Sequence, residues 1–288
     1  MSALSGTVSA RTIVEGCFNT TEVAELALVY DVAVALGVPE QRVRLAIRRM
    51  EASGDLEQIG RGRAGCLVRT AQGAARARLE SRLVEFAFAQ ESGEYPWDER
   101  WRLYAFSIPE SERAERDALR AALTQLGAEQ LAPGLYVTPH DLHAELELAL
   151  TPEIVGRRLI AASVDRLHLP GCDTNEEIAE QLWPAEAVLA AYLPLEQLLV
   201  GRAGARRAEA LTGVGRVEVA AQALLLQEAL DQALRADPLL PRELRPKSWI
   251  PERLLREFLV VWNQLQDLAP DLPMFSTSSS ERAGRESS

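Results

Sequence analysis

The chain has 288 residues, of which 47% are hydrophobic and 25% charged, and its formal net charge is −11. This length predicts two or three domains with ordinary globular cores. No segment approaches the roughly 20 apolar residues of a membrane helix, and the first residues lack the basic start and apolar core of a signal peptide, so we expect a cytoplasmic protein. The three cysteines (17, 66 and 172) are odd in number and widely spaced, which favours neither a disulfide framework nor a zinc site.

Positive charge is concentrated near the N-terminus. Residues 39–82 contain ten arginines and five acids, a net charge of +5, so the remainder carries −16. The electrostatic part of DNA binding depends on the few cations at the contact rather than on the total charge. A local basic face on an acidic protein is therefore compatible with DNA as a partner.

The most informative segment is residues 43–65. Val43, Ile47 and Met50 follow helical spacing and form one apolar stripe, while Arg44 and Arg48 lie on the opposite side. Ser53-Gly54 ends this helix, because glycine tolerates the left-handed conformation that follows a helix. Leu45 does not fit the pattern well, since helical spacing places it near the exposed side.

A short basic hairpin follows this helix. Leu56, Ile59 and Leu67 occupy strand positions around a tip of sequence Gly60-Arg61-Gly62-Arg63. Upstream, residues 22–36 are strongly apolar and predict a helix that Gly37 ends, with Pro39 in the first turn of the next helix. Two helices joined by a short break, then a two-stranded basic wing, outline a winged helix-turn-helix.

The expected DNA contacts come from the second helix and the wing. Arginine on the helix can hold guanine O6 and N7 together, whereas arginines at the wing tip would meet phosphates or the minor groove. The alternative is an amphipathic surface helix with solvated arginines. The candidate DNA-binding residues are Gln41, Arg42, Arg44, Arg48, Arg49, Arg61 and Arg63.

The middle of the chain predicts a small α+β domain. Residues 71–89 form a connector helix, and the polar residues 90–94 form a hinge. Strands are then predicted at 101–108, 135–138 and 159–169, with helices at 111–126 and 140–150 between them. Strand-helix-strand-helix-strand over about seventy residues is typical of a ferredoxin-like domain.

This middle segment resembles the PaaX family of bacterial transcriptional repressors, whose central run is close to PWDGRWRLVVFSIPE followed by RD, LR, LG and PGLWVSP. The matching residues are Pro96, Trp97, Asp98, Arg100, Trp101, Arg102, Phe106, Ser107, Pro109, Glu110, Arg116, Asp117, Leu119, Arg120, Gly127, Leu131, Pro133, Gly134 and Pro139. The matching residues of the N-terminal block are Arg44, Arg49, Gly54, Leu56, Gly62 and Arg63. The sequence departs from the family at Asp55 and Tyr136, each in place of a tryptophan, and at Ala128, in place of a phenylalanine.

The C-terminal region resembles the same family. A helix at 178–200 carries Trp183 and Tyr192, residues 201–215 predict an exposed loop, and DPLLPRELRP precedes Trp249 and a last helix at 251–268. We therefore expect an α+β multidomain protein with a winged helix-turn-helix, a ferredoxin-like middle domain and a mostly helical C-terminal domain. The expected ranges are 1–90 with the connector, 91–172, 173–270 and a disordered tail at 271–288.

The resemblance implies a homodimeric regulator of double-stranded operator DNA, a repressor of a catabolic operon that is released by an aryl- or acyl-coenzyme A thioester. Such a ligand is polyanionic at one end and apolar at the other, so it would bind arginines beside aromatic side chains. The candidate effector-binding residues are Trp97, Arg100, Trp101, Arg102, Arg113, Arg116, Trp183 and Trp249. The alternative is that the tryptophans are core anchors and that Asp98 forms a structural ion-pair group with Arg100 and Arg102.

An enzyme built on the ferredoxin-like domain is the other class of function. A metal-dependent nuclease would place a carboxylate at the end of the first strand, and Phe106-Ser107-Ile108 offers none. The histidines at 140, 143 and 168 are scattered and predicted to lie on the surface. We therefore expect no catalytic residues, no metal, no cofactor and no membrane partner.

Overall fold

The computed structural model describes residues 8–205, 215–247 and 249–275. The chain divides into two compact units, one of Met1–Glu85, Tyr192–Asp231 and Pro251–Ser288, the other of Phe86–Ala191 and Gln232–Ile250. The range 173–270 thus contributes to both units. Whether the four predicted ranges fold as separate domains stays a prediction. No helix in the described ranges is both long enough and apolar enough to cross a membrane.

The N-terminal part of the first unit combines short helices with a small antiparallel sheet. The sheet has the strand order β1-β3-β2. The elements are α1 (Ala10–Gly16), β1 (Val23–Glu25), α2 (Leu26–Ala35), α3 (Glu40–Ala52), β2 (Leu56–Ile59), β3 (Cys66–Arg69) and α4 (Ala71–Ser92).

The start of α2 corrects the helix predicted at 22–36. Val23 to Glu25 form β1, in which Val23 pairs with Val68. The Asn19 side chain accepts the backbone N–H of Val23 at 3.1 Å, and Glu22 has a φ of 59°, so the chain turns sharply and enters as a strand. The next helix also begins one residue later than predicted, with Pro39 as its N-cap.

C-terminal helices complete the first unit. Most of α9 (Ala185–Ala205), α10 (Arg216–Ala236) and α11 (Ile250–Leu268) lies in this unit. A Cβ on Gly16 of α1 would lie 2.3 Å from Leu224 Cδ2 of α10, so glycine permits this close approach. The Thr12 hydroxyl donates to the Glu228 carboxylate of α10. These contacts join residues more than 200 positions apart in sequence.

The predicted helix at 178–200 is two helices. The first, α8 (Asn175–Leu182), begins with a capping box of Thr174 and Glu177. Trp183 and Pro184 are not helical and separate it from α9. Residues 201–205, expected in a loop, continue α9. The rest of that loop, 206–214, lies outside the described residues.

The C-terminal end is packed up to residue 275. Leu272 and Phe275 are fully buried, and the ring of Phe275 lies 5.1 Å from that of Trp262. Residues 271–275, assigned to the disordered tail, are therefore part of the first unit. Residues 276–288 lie outside the described residues.

The second unit contains a four-stranded antiparallel sheet of order β5-β6-β4-β7. Its helices and strands alternate as βαββαβ, which is the ferredoxin-like arrangement. Strand β5 and helix α7 are additions to the predicted pattern. The elements are β4 (Trp101–Ala105), α5 (Arg113–Gln125), β5 (Glu129–Ala132), β6 (Leu135–Thr138), α6 (His143–Ala149), α7 (Pro152–Arg158) and β7 (Ile160–Val164).

Both faces of this sheet are covered, because successive side chains of a strand point to opposite faces. Tyr104 and Tyr136 belong to a core that also contains Leu119 and Leu123 of α5. Trp101 and Val137 face the other way, into a core built with α8 and the segment around Leu244. The C-terminal segment thus packs on the second face of the ferredoxin-like sheet.

The hinge predicted at 90–94 is anchored at its start. Helix α4 continues to Ser92, Gln90 is 2% exposed, and Glu91 forms an ion pair with Arg245. The side chains of this pair are only 10% and 4% exposed. Gln90 and Glu91 therefore belong to the folded second unit.

His140 corrects another prediction, since it is half-buried against the 237–241 segment rather than exposed on the surface. Its Nε2 lies 2.9 Å from the carbonyl oxygen of Leu239, and its ring meets Phe86 edge to face at 5.3 Å. Burial lowers the pKa of His140 to about 4. The side chain is thus a neutral imidazole that donates to the 237–241 segment.

Candidate nucleic-acid interface

Helix α3 presents a broad exposed face. Val43, Ile47 and Met50 are at most 3% exposed and anchor its inner side. With 100° between successive residues of a helix, the middle of the opposite face is occupied by Gln41, Leu45 and Arg48, all of which are exposed. The amphipathic pattern predicted from the sequence therefore matches the observed burial.

Arginines lie on both sides of this middle line. On one side Arg44 pairs with Glu40 at 2.6 Å, and its pKa is raised by hydrogen bonding to Tyr30 and then to Glu40. On the other side Arg42 and Arg49 are exposed and line a groove of about 560 Å³ that α1 also borders. Within the described ranges Arg42, Arg48 and Arg49 have no ion-pair partner, so their guanidinium groups are free to bind anions.

The hairpin of β2 and β3 carries the other two candidate arginines. Gly60 and Gly62 have φ values of 79° and 62°, which only glycine adopts without strain, so the tip depends on them. Arg61 is exposed and has no ion pair in the described part of the chain. Arg63 pairs with Asp31 of α2, and its pKa is raised by the hydrogen bond to this carboxylate.

A buried carboxylate holds the turn between α3 and the hairpin. Asp55 is 2% exposed and accepts from Arg76 at 2.8 Å and from the Ser53 hydroxyl at 2.9 Å. Arg11 of α1 approaches it to 3.6 Å. The Asp55 side chain thereby ties α1, α4 and the end of α3 together.

Some of these partners were not foreseen from the sequence. Arg11 and Arg76 line the same groove as Arg42 and Arg49, and Asp31 and Tyr30 contact the candidate arginines Arg63 and Arg44. Each contact joins residues that are distant in sequence or belong to a different helix. Only the folded arrangement shows which arginines are free and which are engaged.

Three of the four tryptophans proposed for the effector form a cluster inside the second unit. The Trp101 ring lies 5.5 Å from that of Trp97 and is stacked on Trp183 at 6.3 Å. Trp101 is fully buried and Trp183 is 8% exposed. Their ring nitrogens donate to Asn175 Oδ1 and to the carbonyl of Gly127. This geometry favours core anchoring, the alternative role, for Trp101 and Trp183.

The arginines proposed for the effector already have carboxylate partners. Arg102 binds Asp98 at 2.5 Å, and this hydrogen bond lowers the pKa of Asp98. The other pairs are Arg100 with Asp165 at 3.6 Å, Arg113 with Asp117 at 3.2 Å, and Arg116 with Glu110 at 2.5 Å. Trp249 lies 5.7 Å from the guanidinium carbon of Arg245. Trp97 and Trp249 are partly exposed and Arg100 and Arg113 are exposed, so these four members offer surface to a ligand.

No group of three or more possible metal ligands occurs in the described ranges. Strand β4 is followed by Phe106-Ser107-Ile108, so the position at which a ferredoxin-like nuclease would need a carboxylate carries none. The best-defined functional surface is therefore the basic one formed by α3 and the hairpin.

Fold and surface together define an α+β protein with a ferredoxin-like domain and, in its other compact unit, a basic surface on α3 and the hairpin. Residues 94–170 match the family model described as "PaaX protein central Cas2-like domain". This match confirms the resemblance to the PaaX family, which is a family of transcriptional regulators. A regulatory family agrees with the expectation that the chain is not an enzyme.

A solved structure described as "Uncharacterized protein Rv0674 from Mycobacterium tuberculosis" is similar in fold. The TM-score is 0.50 at 19% sequence identity, and the match covers 89% of this chain and 95% of that chain. No curated protein matches the sequence. At this identity the likeness concerns the fold alone.

Proposed function

We propose that this chain is a sequence-specific DNA-binding transcriptional regulator whose N-terminal elements form a winged helix-turn-helix. Helices α2 and α3 would be the helix-turn-helix, α3 the recognition helix, and β2 with β3 the wing. The observation that carries the proposal is the exposed face of α3, where Arg42, Arg48 and Arg49 have no carboxylate partner in the described ranges. The family match supports a regulator and is independent of this face.

We propose different tasks for the individual arginines. Arg48, in the middle of the face and unpaired, is the best candidate for a bidentate contact with guanine in the major groove. Arg44 would first exchange its contact with Glu40 for a base or a phosphate. Arg42 and Arg49 beside α1, and Arg61 and Arg63 on the wing, are placed to contact the backbone and set the register.

Replacement of Arg48 tests this function. Arg48→Ala should weaken binding to a selected DNA site by about 1–3 kcal/mol and relax the preference at one base pair, the cost of losing a bidentate base contact. Selection of sites from a random pool, followed by titration, measures both effects. Arg256→Ala is the matched control, because Arg256 is 71% exposed on α11. If Arg48→Ala keeps the affinity for the selected site and the base preference of the unmodified protein, α3 is not the recognition helix.

The wing is tested through its salt dependence. Arg61→Ala should weaken binding to all sequences to a similar extent and reduce the slope of log K against log salt by about 1, as expected for one lost phosphate contact. Arg63→Ala should have the smaller effect, since Arg63 must leave Asp31 before it can reach DNA. If the variant with both arginines replaced shows the same slope of log K against log salt as the unmodified protein, the wing is excluded as a DNA contact.

We further propose that the regulator acts as a homodimer on a palindromic operator. One recognition helix covers one half-site, and dimeric proteins of this kind place their two helices about one DNA turn, 34–36 Å, or a multiple of it apart. The mass of the protein in solution, alone and on selected DNA, tests the stoichiometry. A single chain bound to an asymmetric site would contradict the dimer.

The resemblance to the PaaX family supports repression of a catabolic operon and release by an aryl- or acyl-coenzyme A thioester. The polyanionic part of such a ligand would compete with the carboxylates now bound to Arg100 and Arg113, and Trp97 and Trp249 would offer ring surface. A ligand of the native state raises the melting temperature, so a panel of these thioesters should contain at least one that does so and also lowers DNA affinity. Absence of any shift across the panel would contradict this effector class.

A further inference from the structure

Leu45 is the one large apolar side chain in the middle of the exposed face of α3. It is 47% exposed, although Val43, Ile47 and Met50 of the same helix are buried. Gln41 lies one turn before it on the same line, and Arg48 lies almost one turn after it. Leu45 is not part of the buried stripe, and the surrounding residues are those expected to contact base edges.

The spacing along the helix matches the spacing of base pairs. With a rise of about 1.5 Å per residue, Leu45 lies about 6 Å from Gln41 and about 4.5 Å from Arg48 along the axis. Successive base pairs are about 3.4 Å apart. Leu45 can therefore meet a base pair one or two steps from that contacted by Arg48 and about two steps from that contacted by Gln41, in the same major groove.

The only apolar group on a base edge in the major groove is the C5 methyl of thymine, and apolar side chains contact it in direct readout. We propose that Leu45 recognises a thymine methyl group within two base pairs of the guanine contacted by Arg48. Gln41, whose amide can bind adenine N6 and N7 together, adds a second A·T contact on the other side. This inference rests on the proposed DNA-binding function and makes the half-site a mixed one, with thymine at a defined distance from guanine.

The flanking arginines strengthen this assignment. Leu45 borders the same groove as Arg42 and Arg49, so phosphates bound by these two arginines would hold the edge of the major groove next to the leucine. An apolar side chain surrounded by unpaired cations suits a ligand that is anionic at its rim and carries a methyl group within. Duplex DNA combines these properties.

The experiment uses the full chain and removes the methyl group from the DNA rather than from the protein. Sites are selected from a random pool, and each thymine of the best site is replaced in turn by deoxyuridine, which differs only in that methyl. Burial of one methyl-sized group is worth about 0.8 kcal/mol, so one thymine per half-site should lose about fourfold in affinity. Leu45→Ala should bind the unmodified site about as weakly as the unmodified protein binds the deoxyuridine site.

The assignment to Leu45 is decided by combining the two changes. Leu45→Ala on the deoxyuridine site should show no additional loss, because the contact is already absent. Leu45→Met should keep the sensitivity to the methyl group, and Leu193→Ala, at a leucine 51% exposed on α9, should bind like the unmodified protein. Leu45 is exposed, so these variants should melt as the unmodified protein does.

The outcomes separate the two proposals. Specific binding with no thymine sensitive to deoxyuridine, or with losses that add fully in the combined experiment, would overturn the role of Leu45 and leave the DNA-binding function intact. Failure to select any site would overturn both.

Discussion

Lowering the pH from about 7.5 to about 5 is expected to reduce the free energy of unfolding by about 2 kcal/mol through His140 alone. The pKa of His140 is about 4 in the folded protein, against about 6.5 in an unfolded chain. Folding favours the neutral imidazole, so the contribution of His140 to the free energy of unfolding is complete above the pKa of histidine in the unfolded chain. Stability is lost as the pH falls from about 6.5 towards 4, since the unfolded chain then binds the proton more readily.

Chemical denaturation at several pH values measures this effect. His140→Gln keeps a side-chain amide that can donate to the Leu239 carbonyl and does not titrate, so its stability should change less between these pH values. His143→Gln is the matched control, because His143 is exposed on α6 and the variant should keep the full dependence. A His140→Gln protein with the same pH dependence as the unmodified one would show that another group is responsible.

The sequence predicted the elements that follow a clear periodicity. The apolar stripe of α3, the basic hairpin and the alternation of β4 each lie within one segment, and the structure contains all of them. The short elements β1 and β5 have three and four residues, which is too few to show a period. Strand β1 was also predicted as helix, because Val23 and Ala24 continue the apolar pattern of the helix that follows them.

Contacts between distant segments could not be predicted from the sequence. Gly16 looks like any helical glycine until Leu224 is seen against it, and His140 looks like a surface residue until the 237–241 segment is placed over it. The same limit applies to charges. Residues 39–82 contain ten arginines, but only the fold separates Arg63 and Arg76, which bind carboxylates, from Arg48 and Arg61, which bind none in the described part of the chain.

Leu45 shows a different limit. The sequence placed it near the exposed side of the helix, where an apolar residue counted against DNA recognition. The structure confirms the exposure of Leu45 and shows that Gln41 and Arg48, predicted on the same side of the helix, are exposed beside it. Its exposure, which did not fit the amphipathic pattern, is the basis of a proposed contact. A sequence pattern indicates whether a residue fits the core, but it does not indicate whether the residue fits a ligand.

The largest loss of stability is expected from Trp101→Ala. Trp101 is fully buried, is stacked on Trp183 and donates to Asn175. Removal of a buried aromatic ring leaves a cavity and typically costs about 3–5 kcal/mol. Denaturant titration should show this loss. Trp97→Ala should cost less because its ring is partly exposed, and Trp101→Phe should keep most of the packing while losing the hydrogen bond to Asn175.

This variant also distinguishes the two roles considered for Trp101. A core anchor should lose stability in proportion to the ring removed, whereas a ligand contact should lose effector response with little change in the free energy of unfolding. Trp101→Ala that melts like the unmodified protein, yet no longer releases DNA when a thioester is added, would contradict the core role. We expect the opposite, because a ring with no accessible surface, held by Trp97, Trp183 and Asn175, has nothing to offer a ligand until those contacts are broken.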